Sequence, residues 1–147
     1  MPNFKKILLV DDEPYNVLGM QMNMNQLGIK RLSNIVDRAY NGLEALNKVK
    51  DSFIKESHVY GLIFTDISMP FMDGYQSSEK IRNFYRAHNA PQPIIIACTG
   101  HIEEEYIKMA WASEIDEVIP KPVNLNSIQE IFNEIMIKDN NVRLSVS

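Results

Sequence analysis

The stretch Leu62-Ile63-Phe64-Thr65-Asp66-Ile67-Ser68-Met69-Pro70 constrains this chain most. Three apolar residues run into a lone carboxylate, and a proline follows shortly after. A run bounded in this way reads as a buried parallel strand that ends at Asp66. In open parallel sheets, chemistry sits in the crevice outside the carboxyl ends of the strands. Asp66 is therefore placed where a functional group is expected.

The rest of the chain repeats the pattern. Ile7-Leu8-Leu9-Val10 is a first buried run, stopped by Asp11-Asp12-Glu13. Pro14 suits a first helical turn, and Val17, Met20, Met24 and Leu27 then recur at helical spacing up to Gly28. Asn34 to Ala39 reads as a second strand. Asn41-Gly42 opens a helix carrying Leu43, Leu46, Val49 and Phe53. The Asp66 strand is the third. Asp73 is placed to cap a helix running through Ile81, Phe84 and Tyr85. Ile94 to Cys98 is a fourth strand, ending at Thr99-Gly100, and a helix follows from about Ile102 to Ser113. Val118-Ile119 is a short fifth strand ending at Pro120-Lys121-Pro122. Asn124 or Asn126 begins a last helix with Leu125, Ile128, Ile131, Phe132 and Ile135. Five alternations of strand and helix make a doubly wound α/β domain with right-handed crossovers.

Composition excludes several classes of function. A chain of 147 residues has room for one domain with a real core. No apolar run approaches the roughly 18 residues of a membrane span, and Met1-Pro2-Asn3 opens no signal peptide, so no membrane contact is expected of this segment. A net charge of −4 with scattered basic residues leaves no nucleic-acid footprint. The one cysteine, Cys98, forms no internal disulfide, and a cytoplasmic setting is the expectation. Within an apolar strand it reads as an inert buried thiol.

Four strands end in functional-looking polar residues: Asp11-Asp12, Asp66, Thr99 and Lys121. Each alone has an ordinary structural reading. Asp11-Asp12 equally begins a helix, Asp66 equally caps a loop, Thr99-Gly100 is a common turn pair, and a lysine between prolines is usually a surface lysine. Their position at the ends of one sheet's strands changes the weighing. Three carboxylates in one crevice repel one another, and a hard divalent cation such as Mg²⁺ is the simple remedy. A lysine and a hydroxyl opposite would complete a cradle for a phosphoryl group.

The motifs Ile7-Leu8-Leu9-Val10-Asp11-Asp12-Glu13, Ala39-Tyr40-Asn41-Gly42-Leu43-Glu44-Ala45-Leu46, Phe64-Thr65-Asp66-Ile67-Ser68-Met69-Pro70, Met72-Asp73-Gly74, Cys98-Thr99-Gly100-His101 and Lys121-Pro122 stand in this order. With them the chain, from about Lys5 to Ile137, resembles the receiver domain of two-component response regulators. Glu13-Pro14-Tyr15-Asn16 resembles the receivers attached to hybrid histidine kinases. The resemblance implies a flavodoxin-like fold with helices on both faces of a five-stranded sheet of order 2-1-3-4-5. A receiver domain is expected over residues 1–138, and the polar stretch 139–147 reads as a frayed tail. Asp66 would be the phosphoacceptor, attacking the phosphorus of a phosphohistidine. Asp12 would bind Mg²⁺ directly, Asp11 through water, and Asp66 and the backbone carbonyl of Ser68 would complete the set. Thr99 would bond a phosphoryl oxygen and swing toward it, Lys121 would pair with the phosphate, and Lys121-Pro122 would be a cis peptide. The implied partner is a histidine kinase or a histidine phosphotransfer protein, with the downstream protein unspecified. The implied chemistry is self-catalysed, Mg²⁺-dependent phosphotransfer and autodephosphorylation. Were the chain a segment of a hybrid kinase, the parent would be a protein histidine kinase.

Two positions depart from the family. Receivers often carry Tyr or Phe three residues before the lysine; here it is Val118, which cannot present a ring in two orientations. A glycine is usual seven residues before the lysine; here it is Glu114, for which a left-handed helix end is costlier. Trp111 reads as lying opposite Ile102 and Met109 on the fourth helix, at a contact surface. Met20, Met22, Met24 and Met69 read as core filler, Glu103-Glu104-Glu105 as a solvated helix start, and His101 as bordering the site. Other classes fit less well. A flavin module needs a Ser/Thr/Gly-rich phosphate loop after the first strand, where this chain has Asp-Asp-Glu-Pro. A phosphatase of the haloacid-dehalogenase type needs Asp-x-Asp there. A phosphorylation-independent pseudo-receiver, acting as an interaction module, is opposed by the intact acidic set.

Overall fold

Alternate residues of a strand face opposite sides of its sheet, and here both sides are apolar. In β1 (Lys5–Val10), Ile7 and Leu9 belong to one buried cluster and Leu8 and Val10 to another. The sheet must therefore carry helices on both faces. The computed structural model describes residues 5–138, so the tail expected over 139–147 lies outside the described residues. After β1 come α1 (Pro14–Asn25), β2 (Val36–Ala39), α2 (Gly42–Glu56), β3 (Val59–Thr65), α3 (Gly74–Ala87), β4 (Ile94–Thr99), α4 (Glu104–Ala112), β5 (Glu117–Pro120) and α5 (Leu125–Lys138). The strands pair in parallel in the order β2-β1-β3-β4-β5, as expected.

Each face has its own core. Val17, Met20 and Met24 of α1 and Ile128, Ile131, Phe132 and Ile135 of α5 cover one side. Ala45, Leu46 and Val49 of α2, Ile81 and Tyr85 of α3, and Ala110 of α4 cover the other. Every residue of β3, the central strand, is buried. No helix among the described residues is long and apolar enough to cross a membrane.

Local chemistry sets the element ends. The Asp73 carboxylate accepts from the N–H of Gln76 at 2.8 Å, and the Gln76 side chain accepts from the N–H of Asp73 at 3.3 Å. This capping box starts α3. Asn41 caps α2 through the N–H of Glu44 at 2.8 Å. Of the two candidates for the last helix, Asn124 is the cap, accepting from the N–H of Ser127 at 2.9 Å.

Several expected details differ. The second strand begins at Val36, because Leu32–Ile35 forms a 3-10 turn instead. Leu32 and Ile35 are both buried, and a spacing of three matches the 3-10 period better than strand alternation. Met22 and Leu43 stand half exposed rather than in the core. The fourth helix starts at Glu104, not at Ile102, and Ile102, Met109 and Trp111 are all exposed. Trp111 is thus on a solvent-facing surface, but so are the residues expected opposite it.

Glu114 adopts the left-handed conformation, φ 62°, that a glycine would take more cheaply. Arg82 compensates. This buried guanidinium donates to the Glu114 carbonyl at 2.8 and 3.0 Å, to Pro93 O at 2.6 Å, to Gln92 at 3.2 Å and to the Asp116 carboxylate at 2.8 Å. All five of its donors are thereby used. It ties α3 to the end of α4 and the start of β4.

Two glycines make opposite predictions. A Cβ at Gly74 would lie 2.2 Å from the Asp66 carbonyl oxygen and 3.0 Å from Ile67 Cα, both backbone atoms with little room to give. Gly74→Ala is expected to cost about 1–3 kcal/mol in urea unfolding. Gly19, in the middle of α1, has nothing within 4 Å of its Cβ position. Gly19→Ala is expected to stabilise by up to about 1 kcal/mol in the same measurement.

Candidate functional site

The site is built by the sheet's hydrogen-bond ladder running past the strand ends. The Asp11 N–H donates to Ala39 O at 3.2 Å, the Asp66 N–H to Val10 O at 2.8 Å, and the Lys121 N–H to Thr99 O at 2.9 Å. Asp11, Asp66, Thr99 and Lys121 therefore follow consecutive strands along one edge. Asp11 and Asp66 are 3% and 8% exposed, deep enough for their charge to matter.

Carboxylate oxygens of Asp11, Asp12 and Asp66 lie within 4.8 Å of one another. Lys121 Nζ sits between two of them, 2.9 Å from Asp11 Oδ2 and 3.1 Å from Asp66 Oδ2. The second Asp66 oxygen accepts from the N–H of Ile67 at 2.8 Å. Asp11 also accepts from the N–H of Glu13 at 2.9 Å and from the Asn16 amide at 3.4 and 3.5 Å. Burial pushes the Asp66 carboxyl above its ordinary value; Lys121 opposes that shift and Asp11 adds to it. Burial would lower Lys121, but its bonds and attraction to Asp11 and Asp66 outweigh it and hold the ammonium above the usual lysine range. Among the described residues no cation pairs with Asp12, so one lysine faces three carboxylates.

That donor set fits a hard divalent cation. Oxygen ligands alone, clustered, partly buried and under-neutralised, are the chemistry of a Mg²⁺ site. Ser68, whose carbonyl was expected to contribute, stands two residues beyond Asp66 in the β3–α3 loop and is exposed.

Thr99 is buried, and its Oγ1 accepts from the N–H of His101 at 3.1 Å. Among the described residues its own hydrogen has no acceptor, which leaves it able to donate. The His101 ring stacks on Tyr106 of α4, centroids 4.6 Å apart, and the Tyr106 carbonyl accepts from the Tyr75 hydroxyl at 3.2 Å. His101 thus borders the site, as expected. Val118 packs half-buried against the core and itself carries no ring to rotate. The Lys121-Pro122 peptide is cis. Cys98 is buried, and burial raises its thiol pKa, consistent with inertness.

The structure brings Asp11, Asp12, Asp66 and Lys121 together and sets Thr99 on the neighbouring strand end. Sequence reasoning missed Asn16, whose amide reaches Asp11 from the first turn of α1. Its spacing of five from Asp11, across the strand–helix turn, was the available signal. The stacking of His101 on Tyr106 was missed as well. A cleft of about 530 Å³ opens beside Asp11 and Lys121, between Asn16 and Met20 of α1 and Val123.

Comparison with known proteins agrees with this fold. A family model described as the response regulator receiver domain matches residues 7–133. The chain is 33% identical over 129 residues to hybrid signal transduction histidine kinase L of Dictyostelium discoideum, covering 88% of this chain and 7% of that protein. It is 32% identical over 127 residues to the sensor histidine kinase GacS of Pseudomonas protegens, covering 86% of this chain and 12% of that one. The chain thus spans a small part of the length of these relatives. Among solved structures, a two-component response regulator from Clostridium difficile superposes with TM-score 0.71 at 28% identity, covering 93% and 98% of the two chains. The receiver domain of Ssk1, crystallised with the phosphotransfer protein Ypd1 of Saccharomyces cerevisiae, shares the fold at TM-score 0.72 and 24% identity, covering 89% and 88%.

Removing the one cation should be costly. Lys121→Met leaves Asp11 and Asp66 facing each other unpaired. With the lysine partly solvated, the expected loss is about 2–3 kcal/mol in metal-free urea unfolding. An unchanged midpoint would show that the carboxylates are already neutralised another way.

Proposed function

The chain belongs to the response regulator receiver domain family, and we propose that it takes a phosphoryl group from a phosphohistidine onto Asp66 in a Mg²⁺-dependent reaction. The observation that carries this reading is Asp66 itself, recessed at a strand end with one oxygen on Lys121 and two further carboxylates within 4.8 Å. An Asp66 oxygen forms the new bond to phosphorus. The phosphorus–nitrogen bond breaks, its electron pair goes to the imidazole, and the imidazole takes up one proton. Lys121 holds the nucleophile and then pairs with a phosphoryl oxygen, and the Thr99 hydroxyl donates to another. Asp11, Asp12, Asp66 and the Ser68 carbonyl are the residues that would hold Mg²⁺. When bound, the ion offsets the clustered negative charge and that of the incoming phosphoryl group.

The response follows from Thr99. A phosphoryl group adds charge and acceptor oxygens beside its hydroxyl, and turning toward them draws on the bond from His101. The segment from Thr99 to Glu103, α4 and β5 form the responding surface. Val118 leaves the usual rotating ring absent, so the motion passes through the stack of His101 on Tyr106. Resemblance to hybrid kinases supports a histidine kinase or histidine phosphotransfer protein as donor, with output by conformational change or onward transfer. This reading puts the domain in the cytoplasm, where a buried Cys98 stays reduced.

Three measurements test it. Parent protein incubated with acetyl phosphate and Mg²⁺ is expected to gain the mass of about one phosphoryl group, and Asp66→Asn to gain none. Unchanged incorporation in that variant would sink the assignment. Asp12→Ala is expected to unfold at higher urea without metal, by about 1 kcal/mol of relieved repulsion, and to lose the protection Mg²⁺ gives the parent. Equal Mg²⁺ affinity in the two would count against the metal site. Beryllofluoride with Mg²⁺ is expected to shift the backbone amides of residues 99–118, and Thr99→Ala to lose most of those shifts. Shifts confined to Asp11, Asp66 and Lys121 would show that this surface is not the output.

A further inference from the structure

Phe71 stands in the loop between β3 and α3, 87% exposed and at φ 68°. It is the middle residue of a three-residue turn closed by the Met72 N–H on the Pro70 carbonyl at 2.8 Å. At positive φ this is the strained form of that turn. A bulky aromatic residue there is an outlier, whereas glycine or asparagine fits at lower cost. No burial of the ring within the domain offsets that cost.

The loop is also held rigidly. The Gly74 N–H donates to Ile67 O at 2.8 Å and closes its base, and the Gly42 N–H donates to Met72 O at 3.1 Å and ties it to the start of α2. Gly74 packs so closely on Asp66 that no Cβ fits between them. The ring is therefore presented to solvent on a closed loop whose base is the phosphoacceptor. An aromatic side chain on a tied-down backbone, with only two rotatable bonds of its own to order, is the kind of group that anchors an interface.

We infer that Phe71 is the docking anchor for the phosphohistidine-bearing protein that supplies Asp66. The inference rests on the phosphoacceptor reading. Asp66 is only 8% exposed, so an imidazole delivered by a protein reaches it only when that protein covers the loops around it. Large apolar side chains face water in the segments that follow three of the strands: Phe71 in the loop after β3, Tyr15 in the first turn of α1 at 73% exposure, and Ile102 in the loop after β4 at 57%. The rim thus carries three exposed apolar side chains among the exposed Glu13 and Glu103, and the floor is acidic. The complementary surface is an apolar pocket set beside a phosphohistidine. A small phosphoryl donor needs none of this rim.

The test separates the two kinds of donor. The probes are acetyl phosphate and the phosphorylated histidine phosphotransfer proteins encoded by the source genome, each taken separately. Phe71→Asn is expected to slow transfer from the fastest protein donor at least tenfold. It should leave the rate from acetyl phosphate and the urea midpoint no lower than the parent's, and Phe71→Tyr should keep the protein rate. Transfer to Phe71→Asn at the parent's rate, or an equal loss with acetyl phosphate, overturns the docking role. So does a parent phosphorylated by acetyl phosphate but by no phosphotransfer protein. A parent phosphorylated by neither donor instead overturns the phosphoacceptor reading beneath it.

Discussion

The mutual repulsion of Asp11, Asp12 and Asp66 is the constraint around which the upper edge of this sheet is arranged. Their oxygens lie within 4.8 Å of one another, and two of the three residues are nearly sealed from water. Such a cluster persists only if something opposes it. Within the chain that is Lys121, bonded to Asp11 and Asp66, together with the N–H groups of Glu13 and Ile67. The opposition is incomplete, since Asp12 has no cation within pairing distance among the described residues. A fold optimised for stability alone would replace one carboxylate. Keeping all three leaves an excess of negative charge that a divalent cation would offset, and the remaining structure supplies the stability this costs. That stability comes from two apolar layers on a fully buried central strand.

Much of this was legible in the sequence because the signals were local and repeated. Buried parallel strands read as short apolar runs, and four of the five strands end at or next to a polar residue of the candidate site, so strand ends and candidate residues were read together. Asp73, Asn41 and Asn124 announced their helices through side-chain oxygens placed before the first turn. The less legible parts depended on contacts between distant segments. Nothing local in Leu32-Ser33-Asn34-Ile35 distinguishes a 3-10 turn from a strand start until both apolar residues are seen to enter the core. The apolar residues of α1 fall on two faces, with Met20 and Met24 buried and Leu18 and Met22 half exposed, so composition alone could not orient it. Arg82 looked like any charged residue in α3; its five bonds run to positions ten to thirty-four residues away.

Arg82 also explains how Glu114 takes the place of a glycine. A left-handed residue without glycine costs on the order of 1 kcal/mol, and the structure offsets that cost at the same residue. The Glu114 carbonyl accepts from two nitrogens of a buried guanidinium, and its carboxylate pairs with Arg86 at 3.0 Å. The exposed ion pair is worth little by itself. The buried fork is worth more, because the alternative is a desolvated guanidinium without partners. The helix end that looked doubtful on propensity is thus among the better secured points of the domain.

This asymmetry gives α4 its character. The end at Glu114 is fixed to α3 and to the start of β4, and Ile115 behind it is buried. Along its length the helix buries only Ala110. Its beginning is held by the stack of His101 on Tyr106 and by the Tyr75 hydroxyl on the Tyr106 carbonyl. Few buried apolar contacts mean a low free energy for local rearrangement. A helix anchored at one end and lightly held at the other moves by tilting about the anchor. The lightly held end is the one connected to Thr99, through the His101 N–H on its hydroxyl oxygen. On the proposed reading, a change at the phosphoacceptor therefore acts on α4 at its weakest attachment. The exposed Met109 and Trp111 would report it, although Val118 supplies no ring to turn.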